Sequence, residues 1–192
     1  MAGADKATLL VGGRSIIDRQ LTVLRALTPH LLIVGRNTET HCGLGVPITA
    51  DRLEDAGPLG GLYTALVEAG TPRIVVVACD MPFLTPNLVR RLVEPDANVD
   101  AVMPRDRDGQ HPLCACYHTG AAERLRRRLD SGLLSVRGAI ADLIVHHINP
   151  DELASLDPDG RAMWNVNTPE DYARACAATG ETPHSSPIEQ RS

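Results

Sequence analysis

The chain has 192 residues, long enough for one domain with a substantial core and short for two. Its 43% hydrophobic and 22% charged content exclude a disordered polymer, and only 3% aromatics argue against base-stacking platforms for single-stranded nucleic acid. A formal net charge of -5 argues against duplex binding as well.

The densest basic cluster, Arg124, Arg126, Arg127 and Arg128, is interleaved with Leu125 and Leu129 and reads as the solvated face of a helix. Five cysteines form no C-x-x-C pair and suit a reducing cytoplasm better than a disulfide framework. Cys79 and Cys114 lie in apolar runs, where a free thiol behaves as a small hydrophobe. No run reaches the roughly 18 apolar residues of a membrane span. The N-terminus lacks the apolar segment of a secretory signal, so a cytoplasmic protein with no membrane or nucleic-acid partner is expected.

In chain order, a polar start at Asp5 and Lys6 leads to an extended segment, Ala7–Val11, and a Gly12-Gly13 turn. Ser15 or Asp18 then opens a helix carrying Ile16, Ile17, Leu21, Leu24 and Leu27, which Pro29 ends. His30–Arg36 reads as a buried strand, and Val46–Thr49 as a shorter one closing on Asp51. The stretch A-G-P-L-G-G-L (Ala56–Leu62) opens an apolar helix running through Ala69. Its glycines suit either close approach to a ligand at a helix N-terminus or a tight turn with close packing.

The stretch I-V-V-V-A-C-D-M-P-F (Ile74–Phe83) is an unbroken apolar run that stops at Asp80, as in a strand buried on both faces of a parallel sheet. Pro82 cannot continue the ladder, so Asp80 falls at the strand's carboxyl end, the edge where open α/β sheets bind ligands. A carboxylate there could hold a divalent cation against phosphates. It could equally cap a helix or form a turn.

Thr85-Pro86 starts a helix over Pro86–Val93. Strands are expected at Asp100–Pro104, Leu113–Tyr117 and Ile144–Ile148, with helices at Ala121–Leu129 and Ser135–Leu143. His111 has no second histidine at ligand spacing and reads as a turn residue before Pro112. Of His146 and His147, one is expected buried and one exposed. Arg36 and Arg105 could meet an anionic substrate but are left unassigned. Thr168 reads as a helix N-cap, with Pro169 first and Asp171 third in the helix. Alternating strands and helices give an α/β class with a mostly parallel, mixed sheet, in one domain over residues 1–178. The Pro/Ser/Glu-rich residues 179–192 are expected to be a disordered tail.

Five stretches in this order resemble the molybdenum cofactor guanylyltransferases: D-K-A-T-L-L-V-G-G-R from Asp5, G-P-L-G-G-L from Gly57, C-D-M-P-F from Cys79, Q-H-P-L-C-A-C-Y from Gln110 and N-V-N-T-P-E-D from Asn165. The resemblance implies a Rossmann-like, nucleotide-diphospho-sugar-transferase-like fold. It also implies an enzyme that binds GTP and Mg²⁺, transfers GMP to the phosphate of molybdopterin and releases pyrophosphate. By position, Lys6 resembles the lysine on the GTP phosphates, Asp51 the acidic residue on the guanosine side and Asp80 the magnesium ligand. Asn165 and Asn167 resemble residues near the pterin and the metal side of the cleft. Val34 stands where some members have an asparagine. Molybdoenzymes or cofactor-insertion proteins are the implied partners. A cytidylyltransferase of the same pathway and a non-catalytic molybdopterin-binding protein are the alternatives.

The family usually begins with an apolar strand and a loop, L-A-G-G-x-S-x-R, just before the element on which Met1 falls. Without them, the strands around His30–Arg36 and Ile74–Cys79 are expected to face each other across a gap, with backbone groups unpaired. Gly12-Gly13 follows Lys6 and cannot replace the loop. A start internal to a longer natural chain is favoured over an inactive copy, because the downstream positions are intact. The 192 residues alone are expected to bind GTP weakly or not at all.

Overall fold

A computed structural model describes residues 5–35, 39–94, 96 and 98–181. Arg36 and most of the expected tail, 182–192, lie outside them. The elements are β1 (Leu10–Val11), β2 (Arg14–Ser15), α1 (Ile16–Arg25), β3 (Ile33–Val34), β4 (Ile48–Thr49), α2 (Gly57–Glu68), β5 (Arg73–Val77) and α3 (Pro86–Val93). They continue with β6 (Ala101–Asp106), β7 (Gly109–Gln110), β8 (Cys114–His118), α4 (Ala122–Asp130), α5 (Val136–Ile140), β9 (Val145–Ile148), α6 (Pro150–Leu156) and α7 (Pro169–Ala177).

Local chemistry explains most boundaries. Gly12 and Gly13 both take positive φ, 63° and 68°, which lets a two-residue turn close the β1–β2 hairpin. Ser15 caps α1, its hydroxyl accepting the Asp18 N–H at 3.1 Å. The helix ends at Arg25, earlier than Pro29 requires. Lys6–Thr8 is a 3₁₀ turn capped by Asp5 rather than extended chain. Thr168 and Asp171 form a reciprocal capping box at α7. Helix α6 was not expected, although Asn149 caps it and Pro150 opens it. Thr179–Glu181 hydrogen-bond back to the last turn of α7, so ordered chain passes residue 178.

The main sheet runs β5–β8–β6–β9. It is mixed, with a smaller parallel share than expected. β6–β9 and β3–β4 are parallel, but β8 lies antiparallel between β5 and β6. Along β8, alternate side chains reach opposite layers. Ala115 and Tyr117 join Leu59, Leu62, Leu125 and Ile140 beneath α2, α4 and α5. Cys114 and Cys116 join Leu88, Leu92 and Leu153 beneath α3 and α6. Burial pushes the Cys114 thiol up to about 12, so it stays a neutral core residue. Tyr117 is fully buried and donates its hydroxyl to Pro112 O at 2.6 Å.

β5 was expected to be buried on both faces, yet all five of its residues are only half-buried. The reason is an open edge. Ala78 N–H donates to Leu113 O and Thr119 N–H to Pro72 O, so Pro72, Ile74, Val76 and Ala78 face β8 while Val75 and Val77 turn their backbone groups away. On β3, Ile33 and Gly35 face β4, leaving Val34 turned away. Among the described residues no strand joins β3 to β5, and the two lie in separate sheets. Amide hydrogen exchange should therefore alternate along β5, with Val75 and Val77 exchanging at least about tenfold faster than Ile74 and Val76. Uniform protection along the strand would show that both edges are paired.

Candidate active site at the carboxyl end of β5

Two residues after β5, the chain turns at Cys79–Asp80, and α1 holds that turn from beneath. Gln20, only 6% exposed, donates its carboxamide N–H groups to Ala78 O at 2.7 Å and Met81 O at 3.0 Å. Next to it, Arg19 donates from Nε to Pro82 O and from Nη1 to Val11 O. From the other side, Val166 N–H donates to Asp80 O at 2.9 Å. Phe83 meets Trp164 edge-to-face at 5.9 Å, closing the turn against the 164–167 segment. Cys79 is exposed here rather than part of the core, since it lies past the last ladder residue.

This scaffold gathers Lys6, Asp80, Asn165 and Asn167. Lys6 Nζ donates to Asn167 Oδ1 at 2.7 Å, joining the N-terminal turn to the segment before α7. Asn167 is itself oriented, because its N–H donates to Asp171 Oδ2 in the capping box. Asn165 is half-buried between Trp164 and Val166. Asp80 Oδ1 is buried and has no hydrogen-bond partner. Burial raises the Asp80 carboxyl above its ordinary range; the Lys6 charge opposes this and the Asp171 charge adds to it. Asp171 moves the other way, its ionised form favoured chiefly by the N–H groups of Thr168 and Asn167.

Asp51 stands apart, just beyond β4 and beside α2. Its Oδ1 is also buried and unpartnered, and a Cβ on Gly61 would sit 3.4 Å from it. Gly60 answers to packing: a Cβ there would lie 2.6 Å from Ala56 Cβ. Of the two readings of this glycine stretch, close packing explains Gly60, whereas at Gly61 an added Cβ would press against the Asp51 carboxylate.

The histidines play lesser parts. His111 Nε2 lies 2.7 Å from Asp106 Oδ2, beside a turn in which Asp106 Oδ1 accepts the N–H groups of Asp108 and Gly109. His146 and His147 are both half-buried rather than one buried and one exposed, because β9 is an edge strand. Arg105 is exposed. Sequence reasoning missed Gln20 and Arg19. Gln20 had a signal: it is a polar residue on the apolar stripe set by Ile16, Ile17 and Leu21.

No cluster of three or more His, Cys, Asp or Glu side chains suited to a metal occurs among the described residues. Magnesium does not need one, since it takes one or two carboxylates, phosphate oxygens and water.

The helix-flanked mixed sheet, together with a family match, makes this chain a nucleotidyltransferase. The sequence matches the MobA-like NTP transferase domain over residues 1–147, and the chain belongs to that family. It is 34% identical over 175 residues to a probable molybdenum cofactor guanylyltransferase of Pelotomaculum thermopropionicum, covering 90% of this chain and 84% of that protein. A molybdenum cofactor guanylyltransferase of Desulfosudis oleivorans is 29% identical over 177 residues, covering 92% and 88%. Among solved structures, molybdopterin-guanine dinucleotide biosynthesis protein A from Archaeoglobus fulgidus superposes with a TM-score of 0.80 at 26% identity, covering 93% of this chain and 92% of that one. A Thermus thermophilus 2-C-methyl-D-erythritol 4-phosphate cytidylyltransferase shares the fold, with TM-score 0.69, 18% identity and coverage of 91% and 94%. The family places the chain in molybdenum cofactor biosynthesis. No helix among the described residues is long and apolar enough to cross a membrane.

Two outcomes test this geometry. Gln20→Leu leaves two carbonyls without their donor and should cost about 1–3 kcal/mol in urea unfolding. Asp80→Asn removes a half-buried carboxylate that desolvation disfavours more than the Lys6 charge favours it, and should raise the melting temperature by about 2–4 °C at pH 7 in EDTA. The gain has a defined pH window. A carboxyl raised in the folded state destabilises most above its folded pKa and not at all below the unfolded value near 3.8, so the difference between the two proteins should vanish at the acid end.

Proposed function

We propose that this chain transfers GMP from GTP to the phosphate of molybdopterin, forming the guanine dinucleotide cofactor and pyrophosphate. The observation that carries the reading is the convergence of Lys6 and Asn167 with the unpartnered Oδ1 of Asp80 at one sheet edge. The names of the relatives, molybdenum cofactor guanylyltransferases, support the same substrates.

An oxygen of the acceptor phosphate attacks the α-phosphorus of GTP. The bond from that phosphorus to the α–β bridging oxygen breaks, and its electron pair leaves with pyrophosphate. The acceptor oxygen is already ionised at pH 7, so no protein base is required. What the chain must supply is alignment and positive charge. Lys6, steadied by Asn167, offers its ammonium group to the phosphates. Asp51 presents its free oxygen on the nucleoside side, to an N–H or O–H donor. Asn165 and Asn167 line the pterin and metal side. Asp80 fits a magnesium ion, because its buried Oδ1 lacks the partner that a cation would provide. When bound, Mg²⁺ supplies charge neutralisation on the transferring phosphates.

The assay is pyrophosphate release from GTP with molybdopterin and Mg²⁺. Asp80→Ala should lower kcat on the order of 100-fold, and Lys6→Ala should chiefly raise KM for GTP. Faster release with CTP would reassign the chain as a cytidylyltransferase. Molybdopterin retention with neither nucleotide turned over would make it a binding protein.

A further inference from the structure

A second polar pocket lies outside this set of residues. It is a cavity of about 290 Å³ between α1, the segment after Asp80 and the loop before Trp164. That volume is at the small end for ligand sites. Neither Lys6, Asp51, Asp80, Asn165 nor Asn167 lines it. Three arginines do: Arg14, Arg19 and Arg161.

None of the three forms an ion pair among the described residues. Their hydrogen bonds go to neutral acceptors and use only part of each guanidinium. Arg14 spends Nη2 on Asp18 O and Thr22 Oγ1. Arg19 spends Nε and Nη1 on Pro82 O and Val11 O, and Arg161 spends Nη1 on Ala178 O. Among the described residues each therefore keeps N–H donors without a partner, and a guanidinium presents them in a planar fork matched to an oxyanion. Arg19 is half-buried, and its cationic form is disfavoured by that burial and then by Arg14; Glu181 acts in the opposite sense. Arg14 and Arg19 thus face the same pocket with like charge.

Two carboxylates share the lining. Asp157 is buried, and its Oδ2 accepts the Ala162 N–H at 2.7 Å, so it is engaged in its own loop. Asp159 is exposed. Neither bridges to an arginine. Phe83, with Arg19 stacked 5.5 Å above its ring, adds an apolar surface.

We propose that this pocket is an oxyanion site, taking a single phosphate-sized group on the free guanidinium edges of Arg14, Arg19 and Arg161, separate from the Asp80 site. The ligand is inorganic phosphate or a phosphate ester, the two sharing the recognised group. Phe83 gives an ester with an apolar body additional contact.

Calorimetric titration of the full chain with inorganic phosphate and with butyl phosphate, at constant ionic strength and without divalent cations, tests this. The lone tryptophan, Trp164, provides a second readout, because the Arg161 guanidinium stands 5.9 Å from its ring centre. Saturable binding is expected, weakened at least about fivefold by Arg14→Gln and by Arg161→Gln. Circular dichroism will confirm that both variants, which change exposed or half-exposed side chains, remain folded. Asp80→Asn should leave this affinity unchanged. Tighter binding of butyl phosphate identifies an ester site and equal binding a free-anion site. The proposal fails if neither probe saturates, if both arginine variants titrate like the parent, or if Asp80→Asn shifts the affinity, which would place the anion at the nucleotide site.

Discussion

The candidate site depends on one buried side chain that holds its main chain from beneath. Gln20 sends both of its carboxamide hydrogens into the turn after β5, to the carbonyls of Ala78 and Met81. A strand that stops at a turn leaves those carbonyls without ladder partners. Buried and unpaired, they would cost several times what one ordinary hydrogen bond contributes. Arg19 satisfies the next carbonyl, at Pro82, and Val166 holds the carbonyl of Asp80 itself. The turn is therefore fixed on its main chain from two sides, so the Asp80 side chain is left without a structural duty. Its bare oxygen is the result.

The same economy appears at the open edge of β5. Val75 and Val77 turn their amides toward a space that no described strand fills, and β5 is correspondingly less buried than its neighbour β8. The carboxyl end of the strand is better supported than its flank. Bonds from α1 and from the 164–167 segment hold the turn whether or not the flank is covered. Local order at the Asp80 turn is thus separable from completion of the sheet.

How far the sequence could be read depended on the range of the interactions concerned. Caps and turns were legible because they are settled within four residues: Thr85-Pro86, the Thr168–Asp171 box and the Gly12-Gly13 turn all stand where the chain predicts them. Asn149-Pro150 carried the same kind of signal for α6 and was passed over. Strand lengths and directions were less legible. β3 and β4 are two residues each, and the antiparallel course of β8 between β5 and β6 follows from pairings far apart in the chain. Of the site, Lys6, Asp80 and Asn167 could be grouped only through resemblance, since their meeting spans more than 160 positions. Gln20 was written in the helix pattern as a misplaced polar residue, but nothing local says which carbonyls it serves.

The reversed course of β8 has one more effect. A strand running with its neighbours would enter the sheet at the rim opposite Asp80. Because β8 runs against β5 and β6, the chain enters it from the carboxyl rim, through the hairpin that holds Asp106 and His111. Among the described residues that hairpin is anchored to the sheet at its base, where His111 N–H donates to Pro104 O, Leu113 O accepts from Ala78 and Pro112 O accepts from the Tyr117 hydroxyl. Its tip can lengthen or change composition while every strand keeps its register. The fold thereby sets aside one replaceable wall at the rim that carries Asp80, able to vary in length and composition while the strands behind it hold their places.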